Sequence, residues 1–155
     1  MYFYKKSIKT GFTLLEIIAG IAILGIIAAV GIGSLSDFRK EQNFTGTIQE
    51  TLALISNTKE DTLGSRGDTN YGVHFEESKI VVFEGSSYSS SDPDNRETLL
   101  ENDITISDIS LTNNATEIVF ERLTGDVDEV GTITISDISG NAVTITIERT
   151  GIVNI

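Results

Sequence analysis

The sequence lacks cysteine and tryptophan and contains one histidine and one proline. Without cysteine there is no disulfide, thiolate nucleophile or thiolate metal ligand. His74 is the single imidazole, so every multi-histidine metal site is excluded and any Ser/His/Asp triad would have to use it. No nucleophile–base pair, metal-ligand cluster or glycine-rich phosphate loop stands out. We therefore expect no enzyme activity and no cofactor.

Basic residues are also scarce, with 11 Lys and Arg against 23 Asp and Glu, for a formal net charge of −12. Three of the 11, Lys5, Lys6 and Lys9, lie among the first eleven residues, which contain no acid. The remainder carries 8 basic and 23 acidic side chains. Such an acidic surface repels DNA and RNA. We expect no nucleic-acid partner.

Residues 17–36 form an uninterrupted run without a charged side chain. As a helix this run is roughly 30 Å long, which is enough to cross a bilayer core. The lysines before it favour a cytoplasmic N-terminus under the positive-inside rule. The run thus predicts a single-pass protein of the cytoplasmic membrane, with the acidic remainder outside the cytoplasm.

Glu16 stands directly before the uncharged run and needs an explanation. An acidic side chain costs about 2.5–3.5 kcal/mol at a bilayer centre and less near the interface, so it is normally paired. A secretory signal peptide has a shorter apolar region and a small-residue cleavage site, which 28–30 match poorly. Neither a signal peptide nor a plain membrane anchor supplies a partner for this carboxylate.

The residues around Glu16 resemble the type III signal of type IV prepilins and type II secretion pseudopilins; they read Gly11-Phe12-Thr13-Leu14-Leu15-Glu16. The resemblance implies cleavage by a prepilin peptidase between Gly11 and Phe12, and N-methylation of Phe12. It makes Lys5, Lys6 and Lys9 the positive charges of the leader. It also implies that Glu16 pairs with the N-terminal ammonium of a neighbouring subunit during assembly.

Helical spacing continues beyond the uncharged run. Apolar residues recur mostly every four positions and form one stripe, made of Phe38, Phe44, Ile48, Leu52 and Ile55. We predict one helix from Phe12 to about Thr58, roughly 70 Å long. The expected domains are a leader at 1–11, a transmembrane and assembly half at 12–35, an amphipathic half at 36–63 and a β-rich domain at 64–155.

The apolar period changes to two after residue 70. Residues 71–75 and 79–83 predict a β-hairpin, in which His74 lies on the side opposite Val73 and Phe75 as a solvent-facing or edge residue. Residues 84–102 are polar and serine-rich, which predicts a long exposed loop. In that loop Asp92 and Asp94 are weak calcium candidates, because carboxylate oxygens are ligands that Ca²⁺ prefers; their spacing matches no EF-hand.

One heptapeptide occurs twice, at 104–110 and 133–139, as Ile-Thr-Ile-Ser-Asp-Ile-Ser. Alternation of isoleucine with hydroxyl residues is typical of a strand that buries one face. Each copy is followed by a turn containing asparagine and then by a second apolar run. We predict two similar β-hairpins, over 104–123 and 133–149, which either reflect a local duplication or the generic pattern of half-buried strands.

The expected fold class is α+β: a pilin-like long N-terminal helix packed against a C-terminal antiparallel β-sheet domain. The spacing of strands and glycines over 71–153 resembles the H-type pseudopilins and the FimT-like minor pilins, although the absence of cysteine departs from many major pilins. The resemblance implies a minor subunit of a type II secretion pseudopilus or type IV pilus. Its partners would be the prepilin peptidase, other pilin subunits and the inner membrane. A major pilin and a membrane-anchored binding domain that does not polymerise are the alternatives.

Overall fold

A computed structural model describes residues 11–64 and 68–155, and residues 30–37 by their backbone alone. The leader lysines Lys5, Lys6 and Lys9 lie outside the described residues. The chain divides between Glu41 and Gln42 into two compact units.

The long helix α1 covers Leu14–Leu63 and contributes to both units. It ends five residues later than the predicted Thr58. Thr58 and Thr62 are buried, and their hydroxyls donate to the carbonyls of Leu54 and Thr58 at 2.8 and 3.0 Å. Because both hydroxyls form hydrogen bonds within the helix, their burial leaves no unpaired donor.

The apolar stripe of α1 is covered only within the second unit. Phe44, Ile48 and Ile55 are buried there, and Leu52 packs against the core from a partly exposed position. The inclusion of Phe38 in the covered stripe was wrong, since 56% of its surface is exposed. Phe38 belongs to the first unit, whereas Phe44 belongs to the second.

Between residues 68 and 155 there are eight strands: β1 Tyr71–Glu76, β2 Lys79–Glu84, β3 Arg96–Leu99, β4 Ile104–Leu111, β5 Glu117–Phe120, β6 Gly131–Asp137, β7 Ala142–Ile147 and β8 Val153–Asn154. They form two four-stranded antiparallel sheets. We call the one ordered β3-β2-β1-β5 sheet A and the one ordered β4-β6-β7-β8 sheet B.

Sheet A confirms the first predicted hairpin, as β1 pairs with β2 through a turn after Glu76. The prediction of an unbroken loop over 84–102 was wrong, because it contains β3. This short strand pairs with β2, with Thr98 opposite Ile80. Its side chains are mostly polar, so its pairing rests on backbone hydrogen bonds. Because apolar residues do not alternate along β3, its sequence does not predict a strand.

Sheet B confirms the predicted hairpin over 133–149, in which β6 pairs with β7, but the predicted hairpin over 104–123 is wrong. Strand β4 pairs with β6, whereas β5 pairs with β1 in sheet A. The short 3-10 turn Thr112–Asn114 lies between β4 and β5, and Asn113 and Asn114 there adopt φ values of 60° and 55°. This left-handed turn ends β4 and leads the chain into sheet A. The two copies of the repeated heptapeptide therefore lie side by side.

One apolar core joins both sheets to the second half of α1. Its fully buried members come from the helix and from both sheets; they include Ile55, Phe75, Phe120, Ile133 and Ile145. The predicted fold class is confirmed: a long N-terminal helix packs against an antiparallel β-sheet domain.

Candidate processing and assembly site

Gly11 and Phe12 lie immediately before the helix, in irregular and exposed chain. The Phe12 side chain is 84% exposed, and a side chain at Gly11 would meet no atom within 4 Å. No described residue therefore shields the peptide bond between them. Its accessibility suits cleavage by another protein, although cleavage itself stays a prediction.

Glu16 closes the first turn of α1 by a capping box with Thr13. The Thr13 backbone N–H and hydroxyl both donate to Glu16 Oε2 at 2.9 Å, and the Glu16 N–H donates to Thr13 Oγ1 at 3.3 Å. These contacts satisfy donors that every helix N-terminus leaves free. The sequence interpretation missed this role, although the spacing Thr-x-x-Glu before an apolar run is its signature.

The first unit exposes apolar side chains around the whole helix. Before residue 30, ten large ones are between 49% and 84% exposed: Phe12, Leu14, Leu15, Ile17, Ile18, Ile21, Ile23, Leu24, Ile26 and Ile27. An exposed apolar surface of this extent marks a membrane or protein contact. Within the residues whose side chains are described, no helix meets the length and apolarity needed to cross a membrane. The membrane span stays a prediction.

His74 lies on the outer face of sheet A, as predicted, but it does not face solvent freely. The Tyr88 ring stacks on its imidazole, with centroids 4.0 Å apart and planes at 15°. Only 15% of the His74 side chain is exposed. The prediction of a solvent-facing histidine was wrong because the loop between β2 and β3 folds back over the sheet.

Two carboxylates lie beside the imidazole of His74. Glu117 Oε2 lies 3.3 Å from Nδ1, and Glu76 Oε1 lies 3.8 Å from Nε2. Glu76 also approaches Lys79, whose ammonium lies 2.7 Å from Glu97 Oε1. The bond to Glu97 raises the pKa of Lys79 above its ordinary value and holds the cation at this edge of sheet A.

The calcium candidates Asp92 and Asp94 lie in the loop between β2 and β3. The Asp94 N–H donates to Asp92 Oδ1 at 3.0 Å, a local turn contact. Over residues 11–64 and 68–155, no three His, Cys, Asp or Glu side chains come together in a way that could hold a metal ion. The two aspartates therefore have no third protein carboxylate beside them within that part of the chain.

A shallow cleft of the second unit collects further acids. It has a volume of about 350 Å³, and its lining includes Glu121, Asp126, Asp128 and Arg149. Arg149 pairs with Asp128 at 3.5 Å, while both side chains remain largely exposed. The lining of the cleft also contains the hydroxyl of Ser86 but no imidazole that could act as its base.

Comparison with known proteins places a family motif over the candidate site. The family described as the prokaryotic N-terminal methylation motif matches residues 6–32. Two fimbrial proteins of Pseudomonas aeruginosa are each 30% identical over 87 residues, covering 51% of this chain and 56% of the relative. The chain thus spans about half the length of the curated relatives it matches. No solved structure matches it significantly.

Proposed function

We propose that this chain, for which the methylation motif and the fimbrial similarity support a type IV prepilin-like family, is the precursor of a structural filament subunit. A prepilin peptidase cleaves it after Gly11 and methylates the new N-terminus at Phe12. The subunit then assembles with other pilin-like subunits. It contributes a structural surface and performs no enzymatic step.

The observation that carries this proposal is the exposed, all-round apolar surface of the first unit, on which Glu16 is the only charge between residues 12 and 36. A helix that is apolar on every side must be covered by lipid or by other helices. A filament precursor needs both coverings in turn, a membrane before assembly and neighbouring helices after it. The second unit has its own apolar core.

Glu16 is the proposed register contact of assembly. Inside a bundle of apolar helices a carboxylate requires a cationic partner, because an unpaired charge there is strongly unfavourable. Cleavage after Gly11 creates one, the ammonium of Phe12 on the next subunit. In the single chain the capping box with Thr13 holds the carboxylate at the helix start, ready for that pairing.

We further propose that the chain is a minor subunit of a type II secretion pseudopilus or a type IV pilus. Before assembly it would lie in the inner membrane. The strand and glycine spacing of its β domain supports the minor class. Its N-terminus would be cytoplasmic and its β domain outside. Quantitative mass spectrometry of purified filaments tests this placement: a minor subunit is present at a small fraction of the main one, and a dominant amount would overturn it.

Processing is tested by mass spectrometry of the chain from cells that carry and cells that lack the prepilin peptidase. With the peptidase, the mature protein should begin at Phe12 and carry one added methyl group. Gly11→Val should remain uncut, while Gly20→Val, a matched glycine within the helix, should be processed normally. A chain that keeps Met1 in the presence of the peptidase would contradict the proposal.

The role of Glu16 is tested with variants that separate its charge from its helix cap. Glu16→Gln keeps a side chain that can close the capping box but removes the charge. Thr13→Val removes the cap and leaves the carboxylate. We expect Glu16→Gln to be processed but absent from filaments, and Thr13→Val to assemble.

The opposite pattern, assembly of Glu16→Gln with failure of Thr13→Val, would mean that Glu16 only caps the helix. A processed wild-type chain that never enters filaments would instead indicate an anchored domain that does not polymerise. Crosslinking of purified filaments between residue 12 and residue 16 of adjacent subunits distinguishes these results directly.

A further inference from the structure

The loop over residues 85–95 covers a second small apolar cluster on the outer face of sheet A. Val81 and Phe83 are 0% and 1% exposed, yet both lie outside the main core. They pair across the ladder with His74 and Gly72, so they share the face opposite Val73 and Phe75. The cover over this face comes from Tyr88, whose ring lies 5.9 Å from that of Phe83.

Glu117 connects the loop to the histidine beneath it. Its Oε1 accepts the backbone N–H of Tyr88 at 3.3 Å, and its Oε2 lies 3.3 Å from His74 Nδ1. Among the described residues, that buried nitrogen has no aligned hydrogen-bond partner. The Glu117 carboxylate therefore lies close to both the loop backbone and His74 Nδ1, which has no aligned hydrogen bond. Tyr88 stacks on the same imidazole.

We propose that His74, Glu117 and Tyr88 form a proton-operated latch for the loop over residues 85–95. When the imidazole gains a proton, both ring nitrogens carry hydrogen, and the contact with Glu117 becomes an ion pair. The stacked Tyr88 ring then faces a cation, which adds attraction. The loop is held more tightly in the protonated state and opens more readily when the imidazole is neutral.

The charges around His74 favour this direction. Glu117 on β5 and Glu76 on β1 attract an imidazolium, and partial burial of the ring opposes one. Lys79 on β2 also opposes it, but its ammonium bonds to Glu97 on β3 at 2.7 Å and approaches Glu76 at 3.5 Å. Glu76 is thus already shared with Lys79, which leaves Glu117 as the decisive partner.

Histidine is the residue whose ordinary titration falls between about pH 5 and pH 8. In the latch the loop should be more protected at the acidic end of that interval. Release would remove the Tyr88 ring from Phe83, so the neutral state exposes an apolar side chain that the protonated state hides. This property belongs to the second unit and is independent of how the N-terminus is processed.

Amide hydrogen exchange of the full chain in detergent micelles tests the latch. Protection of peptides spanning 85–95 is compared at about pH 5.5 and about pH 8, after correction for the intrinsic effect of pH on exchange. We expect about fivefold greater protection at the lower pH, since a charged hydrogen bond replaces a weaker contact. Peptides from β6 and β7 serve as the internal measure of folding and should not change.

Two variants and one control complete the test. His74→Phe keeps a ring that stacks on Tyr88 but cannot titrate, and Glu117→Gln keeps an oxygen for the Tyr88 N–H but has no charge. Both should abolish the pH dependence, whereas Glu101→Gln, an exposed acid outside the cluster, should retain it. Equal protection of the wild type at both pH values, or a pH dependence that survives in Glu117→Gln with β6 and β7 still protected, would overturn the proposal.

Discussion

Gly131 is the residue at which the fold leaves least room for a side chain. It begins β6 with φ of 149°, opposite Leu111 on β4. A Cβ there would overlap the Ser110 carbonyl oxygen and lie 2.9 Å from Leu111 Cα. Because the obstructing atoms belong to the backbone of a paired strand, they cannot move without breaking the ladder between β4 and β6.

We predict that Gly131→Ala lowers the free energy of unfolding by about 3 kcal/mol, from backbone strain and overpacking together. Gly140→Ala is the matched control, since Gly140 also has a positive φ, 91°, but open space around it. The control should cost about 1 kcal/mol. Urea unfolding of both variants measures the difference, and equal losses would show that the overlap at Gly131 is relieved elsewhere.

Asp137 and Asp108 occupy the same place in the repeated heptapeptide but have different environments. Asp137 accepts the N–H groups of Ser139 and Asn141, each at 2.9 Å, and the Asn141 side chain at 2.8 Å. Burial alone would raise its pKa, but these bonds outweigh burial and lower the pKa below its ordinary value of 3.8. Asp108 is exposed in β4 and has no turn to close.

We predict that Asp137→Ala destabilises the β6–β7 turn more than Asp108→Ala does. A carboxyl with a lowered pKa in the folded state stabilises it fully above the ordinary value near 3.8, and this stabilisation is lost as pH falls through the lower folded value. The difference between wild type and Asp137→Ala should therefore shrink from about pH 5 to about pH 2. Thermal unfolding across that range measures it; a difference that does not depend on pH would contradict the charged role.

At the scale of the elements, the second half of α1 is stabilised by the side of the helix that is buried in the core. Ile55 is fully buried in the apolar core, whereas Gln49 on the same helix is exposed. We predict that Ile55→Ala costs roughly 2–5 kcal/mol, through lost burial and the cavity it leaves. Gln49→Ala should change stability by less than about 0.5 kcal/mol. Urea unfolding tests the pair, and a small effect at Ile55 would mean that the helix and sheets separate easily.

Local patterns predicted the helix, the hairpin β1–β2 and the hairpin β6–β7, since each follows from periodicity over neighbouring residues. They did not predict that β4 pairs with β6, because partner choice between similar strands depends on contacts distant in sequence. Strand β3 was missed since its polar residues lack alternation. The cover on His74 was missed because a serine-rich loop gives no local sign of folding back.

At the candidate site, the residue types around Glu16 were sufficient to predict a prepilin-like methylation motif, and the family match over residues 6–32 supports that prediction. The capping box with Thr13 was not predicted, although its spacing is readable. Its consequence is physical: a substitution at Glu16 changes a helix cap together with a charge. Only variants that separate the two can assign the function of this carboxylate.

At the scale of the whole molecule, charge sets one clear expectation. The net charge is −12, and Arg149, near the C-terminus, is paired with Asp128. We predict no binding of labelled DNA in fluorescence anisotropy, even at about 50 mM salt, where phosphate contacts are strongest. Saturable binding that weakens with added salt would contradict this prediction.

The neighbouring copies of the heptapeptide have a consequence for folding fidelity. They pair antiparallel with the same position opposite itself, Ile106 against Ile135, so the segment is complementary to its own sequence. Two unfolded chains could join through any copy, and each junction would resemble the native one. The register shift between Ile106 and Asp108 breaks that equivalence within one chain. We therefore expect strand exchange between molecules to compete with folding. Correct folding requires β4 and β6 of one chain to pair faster than strands of two chains do.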